Sequence, residues 1–188
     1  MMIETGLIPF IFLHTFGGGG LLAGFLHPLL GLEHLLAMLA VGLLSAQIGG
    51  RALWTVPATF VAVMGVSAVL GIVGLPLPFV QYGLSISVLI LGLAILFGSR
   101  IPEWAALIVV AIFAFFHGHA HGTQLPEVTD TISLLLAYIF GFLIATVGLH
   151  VIGALIGLIV GKLQRGEMLM RIGGLAIALI GVLLTINV

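Results

Sequence analysis

The chain has 188 residues, 62% of them apolar and only 6% charged, with a mean hydropathy of +1.41. A soluble domain carries about 25% charged residues, whereas five basic and six acidic side chains are all this chain has to face water. A soluble enzyme is excluded, and the recurring uncharged apolar stretches identify an all-α polytopic membrane protein. The net charge of -1 and the lack of any basic run leave no footprint for nucleic acid. The absence of cysteine removes disulfides, thiolate metal sites and redox thiols. Against this background stand seven histidines.

In chain order, Ile3 to Phe16 is apolar but short, and Gly17 to Gly20 would break a helix running through it. It lacks the basic n-region and the small-residue cleavage site of a signal peptide. The expectation is an uncleaved interfacial or re-entrant segment, with a seventh span as the alternative. Six spans follow, over Pro28 to Ile48, Ala52 to Val73, Phe79 to Phe97, Pro102 to His121, Thr131 to Val160 and Met168 to Ile186. Gly, Pro and charged residues punctuate them: Gly49-Gly50-Arg51, Leu75-Pro76-Leu77-Pro78, Gly98 to Pro102, Gln124-Leu125-Pro126 and Lys162 to Gly166. The fifth stretch is long enough that it must tilt, kink or project from the bilayer. The expected organisation is a single transmembrane domain over 1–188, with an N-terminal apolar and Gly-rich segment at 1–26, the first three helices at 27–98 and the last three at 102–188.

All five basic residues, Arg51, Arg100, Lys162, Arg165 and Arg171, fall at the first, third and fifth connections. The fourth carries Glu127 and Asp130, and Glu4 lies near the N-terminus. The positive-inside rule therefore puts odd connections in the cytoplasm and both termini outside. Six spans split three and three must run in opposite directions, which is the geometry of an inverted repeat. A His-rich motif opens the first half and closes the first helix of the second, but no residue-by-residue match links the halves.

Under this topology His27, His34, His117, His119 and His121 lie toward the outer face, and His14 belongs to the same side. His150 lies at or past mid-depth in the fifth span. Neutral imidazole suits nickel, cobalt, copper and zinc. His117 and His121, four apart, share one helix face and can grip one ion, while His119 points away unless the helix unwinds at Gly118 and Gly122. His27 before Pro28 reads as an N-cap, with His34 deeper by roughly 10 Å along the helix. Glu33 and Met38 add a carboxylate and a thioether nearby. The competing readings are ordinary ones. A lone intramembrane His such as His150 is often a hydrogen-bonding strut, and Glu33 near a helix start can simply offset the dipole. Three imidazoles in seven residues, by contrast, serve no packing need better than Leu or Ala. Gly153, Gly157 and Gly161, and Gly118 with Gly122, read as close-packing G-x-x-x-G steps, which also offer faces for an oligomer. Met64, Met168 and Met170 read as core.

The stretch His27-Pro28-Leu29-Leu30-Gly31-Leu32-Glu33-His34-Leu35-Leu36-Ala37-Met38 resembles the first-helix signature of the HupE/UreJ family of nickel and cobalt permeases. Phe116-His117-Gly118-His119-Ala120-His121-Gly122 resembles its second signature, and the likeness runs from about His14 to the C-terminus. The resemblance implies a bacterial inner-membrane protein with six spans in its mature form, associated with metal supply to nickel hydrogenase or urease. It also departs from the pattern. Glu33 stands where Asp is usual and Gln124 where Glu is usual, and the N-terminal segment is a poor example of the family's cleavable signal peptide.

The expected function is a permease carrying nickel or cobalt inward as cargo, with no prosthetic group. His27, Glu33, His34, His117 and His121 are the expected ligands, His119 and His150 a second or relay position, and His14 a further external ligand. A membrane metal sensor or storage protein is the alternative. A haem-binding electron carrier is a weaker one, since it needs His pairs on facing helices at matched depths. An intramembrane protease lacks its motifs here: there is no H-E-x-x-H and no G-x-S-x-G. With no G-x-x-x-x-G-K-[ST] either, ATP coupling would need another subunit.

Overall fold

The computed structural model of the chain describes residues 20–98, 101–124 and 131–188. His14, Glu4, the N-terminal apolar segment up to Gly19, Arg100, Glu127 and Asp130 lie outside them. The described residues form seven α-helices: α1 (Leu21–Leu30), α2 (Leu32–Ile48), α3 (Ala52–Ile72), α4 (Val80–Phe97), α5 (Glu103–Thr123), α6 (Ile132–Gly161) and α7 (Gly166–Ile186). Five are long and apolar enough to cross a membrane, and α1 with α2 makes a sixth crossing bent by 82°. The all-α polytopic reading therefore holds, and the limits of the last five crossings lie within a few residues of those read from the sequence.

The first crossing differs. A single helix starting at Pro28 with His27 as its N-cap is replaced by two helices joined at Gly31, whose extended backbone (φ -84°, ψ 113°) ends one and starts the other. Helix formation begins at Leu21, inside the stretch read as an N-terminal segment, and Pro28 lies within α1. Proline removes a backbone donor and disfavours helical geometry in the residue before it, so α1 is weakened where it ends. The fifth crossing is one unbroken helix of 30 residues, started by Thr131, whose side chain accepts from the Leu134 backbone N–H.

Glycine sets the packing. A Cβ on Gly42 would run into the backbone of His150 and Ala154, one on Gly153 into Leu39, and one on Gly157 into Ala46, so α2 lies directly on α6, parallel to it. On the outer half of the same helix, Gly24 meets the backbone of Tyr138 and Gly141 that of Leu21, which seats α1. Gly118 and Gly122 of α5 meet Met64 and Ala68 of α3, and Gly92 of α4 meets Gly174 and Ala178 of α7. Small residues that let backbones touch supply the dispersion contacts and helix proximity that hydrophobicity cannot supply in lipid. Gly161 departs from its expected role, since nothing lies within 4 Å of the position a Cβ would take. Met168 is half exposed rather than core, whereas Met64 and Met170 are buried.

The tightest pairings thus join the first crossing with the fifth, the second with the fourth and the third with the sixth. Exchanging the first three crossings for the last three leaves this set unchanged, as an inverted repeat requires. The lesser contacts do not follow: the first crossing also leans on the second and third, while among the described residues its counterpart, the fourth, touches neither the fifth nor the sixth. The parallel packing of α2 on α6 and of α3 on α5 sends the connections bearing Arg51 and Lys162 to one end of the bundle. Exposed Trp54 and Trp104 stand at that same end, as interfacial aromatics do. The histidine motifs occupy the opposite end.

Because the glycine contacts are backbone to backbone, Gly118→Leu or Gly42→Leu is expected to cost at least about 1–3 kcal/mol by overpacking. Gly161→Ala should stay within ~0.5 kcal/mol. Unfolding of the purified protein in detergent, followed by circular dichroism, measures both.

Candidate metal centre

The break at Gly31 builds the site. It turns α1 across the outer end of the bundle, so that His27 and His34 face each other with ring centroids 5.5 Å apart. The 10 Å axial separation expected of a continuous helix does not apply. His121, from the last turn of α5, completes a triangle with centroids 4.8 Å from His27 and 4.6 Å from His34. One ligand nitrogen from each of the three lies within 4.8 Å of the others. Tetrahedral bonds of 2.0–2.1 Å need donors roughly 3.4 Å apart, a contraction that modest side-chain rotation supplies.

Gly31 has a second part in this arrangement. A Cβ there would stand 2.9 Å from His34 Nδ1, so the missing side chain leaves the imidazole its room. His121 is fixed from the other side by Phe142 of α6, stacked on it at 4.7 Å and 6°. Both nitrogens of His121 and Nε2 of His34 are buried without a hydrogen-bond partner. An unmet buried polar atom costs about 1–3 kcal/mol, and a cation at the triangle would satisfy all three atoms. The donor set therefore fits a borderline divalent metal. His27 is half-buried and its two partners are buried, so the triangle is reached from the outer end.

The other sequence candidates fall into distinct places. His117 lies one turn deeper on α5, 5.0 Å from His34 by ring centroids, with Nε2 held 2.9 Å from Ser87 Oγ and Nδ1 without a partner. It adjoins the triangle but does not belong to it. His119 points away, as its helical position dictates, and its Nε2 lies 2.7 Å from the Leu75 carbonyl at the end of α3. Glu33 does not join the triangle. Its carboxylate accepts from Gln81 Nε2 of α4 at 3.2 Å on the exposed surface. Gln124 is exposed at the end of α5, and Met38 is wholly buried in the apolar core. His150 is buried at mid-helix with its ring 5.1 Å from Phe60, well separated in depth from the triangle.

Sequence reasoning missed Ser87, Phe142 and Phe60. Each is a common residue in an apolar run, and only the fold places it against an imidazole. An apolar recess between α2, α4 and α5, bordered by Leu44, Ile90, Phe97 and Val109 among others, carries no metal-ligating side chain.

The family described as HupE / UreJ protein matches residues 5–184. A relative named Protein HupE, from Rhizobium leguminosarum bv. viciae, is 47% identical over 169 residues, covering 89% of this chain and 85% of its own length. No solved structure matches. With a match over nearly the whole chain and close identity to a named member, the chain belongs to the HupE/UreJ family.

Proposed function

We propose that the protein is a permease that carries a divalent transition metal, nickel or cobalt, inward across a bacterial inner membrane. The observation that carries this reading is the convergence of His27, His34 and His121, from non-adjacent parts of the chain, at the end of the bundle opposite the basic residues. By the positive-inside rule that end faces outward, and both termini lie outside. His27, His34 and His121 hold the ion, His117 receives it next, and Glu33 attracts it at the rim. His119 serves α3 through its bond to Leu75 and is removed from the ligand set.

The energetics favour inward movement without another source of work. A dication gains about 4.6 kcal/mol per 100 mV of negative-inside potential, twice the value for one charge. Three neutral ligands leave coordination positions for water or a following ligand, so the ion is held and still released. A haem carrier is disfavoured by the spacing, because rings 4.6 Å to 5.5 Å apart leave no room for a porphyrin between them.

In proteoliposomes enclosing a metal-sensitive dye, a negative-inside potassium diffusion potential is expected to drive saturable nickel or cobalt accumulation. Binding without accumulation would overturn transport in favour of sensing or storage. His121→Ala should lower uptake by at least about tenfold, whereas His119→Ala should alter thermal stability more than metal affinity. Gly31→Ala, which crowds His34, should weaken metal binding by about tenfold while leaving the helical content unchanged, as isothermal titration and circular dichroism would show. For orientation, a cysteine placed at position 188 of this cysteine-free chain should react with an impermeant maleimide added outside intact cells, and one at position 163 should not.

A further inference from the structure

Helix α6 carries a file of side chains four residues apart: Tyr138, Phe142, Thr146 and His150. Residues at this spacing stack along one face of a helix, about 6 Å per step. The upper two flank the triangle already described, with Tyr138 6.1 Å from His27 and Phe142 stacked on His121. The lower two lead away from it toward the middle of the bilayer. All four are buried, with Thr146 wholly inaccessible and His150 only 2% exposed.

Their polar atoms are unmet. Thr146 Oγ1 and both ring nitrogens of His150 have no hydrogen-bond partner. A threonine inside a helix ordinarily bonds the carbonyl one turn back, as Thr123 and Thr185 do here. Thr146 does not, and its hydroxyl is left for something else. Two adjacent steps of one file thus hold three donor or acceptor atoms inside apolar packing, where each costs about 1–3 kcal/mol. A packing role would be served better by Val and Leu. A hydrogen-bonding strut, the ordinary role of a lone intramembrane His, needs a partner that His150 lacks.

Phe60 of α3 lies between this lower pair and the outer site. Its ring is 5.6 Å from His117 on one side and 5.1 Å from His150 on the other. Below His150 the way is shut, because Gly42 and Gly153 bring the backbones of α2 and α6 into contact directly beside it. His150 is therefore the last unpartnered imidazole before the closed seam.

We infer that His150 and Thr146 form a second, inner cation site for a borderline divalent transition metal, separated from the outer triangle by the Phe60 ring and from the inner face by the Gly42–Gly153 seam. Resting on the transport reading above, it makes the path a two-station one. The ion passes from the triangle to His117, crosses when the Phe60 ring turns, and waits on His150 until α2 and α6 part. Imidazole nitrogen and hydroxyl oxygen, with water in the remaining positions, bind weakly enough to let it go.

The test uses the full chain and cobalt alone. In detergent at equilibrium the wild type should bind two Co2+ per chain, His150→Gln one, and a His27→Ala, His34→Ala, His121→Ala triple variant one, whose absorption bands vanish when His150→Gln is added. In proteoliposomes His150→Gln should lose uptake by at least about tenfold while keeping the outer ion, and Thr146→Val, which changes no volume, should lose uptake by about threefold or more. Wild-type uptake by His150→Gln, or two bound ions in that variant, would overturn the inner site and leave permease function standing. Two ions bound by a wild type that accumulates no metal would keep the inner site and overturn transport instead.

Discussion

A helix rises 1.5 Å per residue, so His27 and His34 on one continuous helix would stand roughly 10 Å apart along its axis and could not share an ion. The 82° bend at Gly31 removes that separation, and every other feature of the outer site follows from it. The bend lays α1 against the first turns of α6, where Gly24 and Gly141 admit the contact. That contact brings Tyr138 beside His27 and Phe142 beneath His121. A side chain at position 31 would disturb the bend's product directly, because its Cβ would meet the His34 ring.

The glycine seams are the complement of this constraint. In lipid, apolar side chains gain nothing by leaving the tails for one another, so helix association depends on close fit. Gly42, Gly153, Gly118 and Gly122 give backbone contact along the length of the paired crossings. Such contact holds α5 and α6 at fixed heights relative to α3 and α2, which is what keeps His121, His117 and His150 at graded depths. The seam at Gly42 and Gly153 also has no side chain to interlock, so parting it breaks dispersion contacts rather than a knob-and-hole arrangement. A bundle built this way is rigid in register and still able to open along one line.

Much of this was legible in the sequence, and the part that was not has a definite cause. Hydropathy reads composition over a window, and it located the last five crossings because lipid exposure demands an apolar run of fixed length. The same averaging is blind to a bend within such a run, and a lone glycine in a helical pattern is a weak break signal. Gly31 therefore passed as part of one helix, and Leu21 to Leu26 as part of a leader segment. Histidine identity was informative because imidazole is rare and costly in this setting. Which imidazoles meet was not, since the meeting of His34 with His121 joins residues far apart in sequence. His117 with His121 looked like the natural pair from spacing alone, yet the bend substitutes His27 and His34 as partners of His121.

Charge explains why the ligands are of this kind. A dication entering a low-dielectric bundle loses hydration worth far more than any one contact returns. Carboxylates at every station would repay that loss and trap the ion. Neutral imidazoles repay part of it and leave the ion's charge exposed to the membrane field, which then does work on it. The carboxylate of Glu33 sits at the exposed rim, paired with Gln81 rather than with the triangle, where it raises the local concentration of cations without adding depth to the well. Net attraction at the mouth, moderate binding inside and a closed seam below make a gradient that a negative interior can pull an ion along. A permease whose scarce polar groups were spent on one tight cage would bind better and carry less.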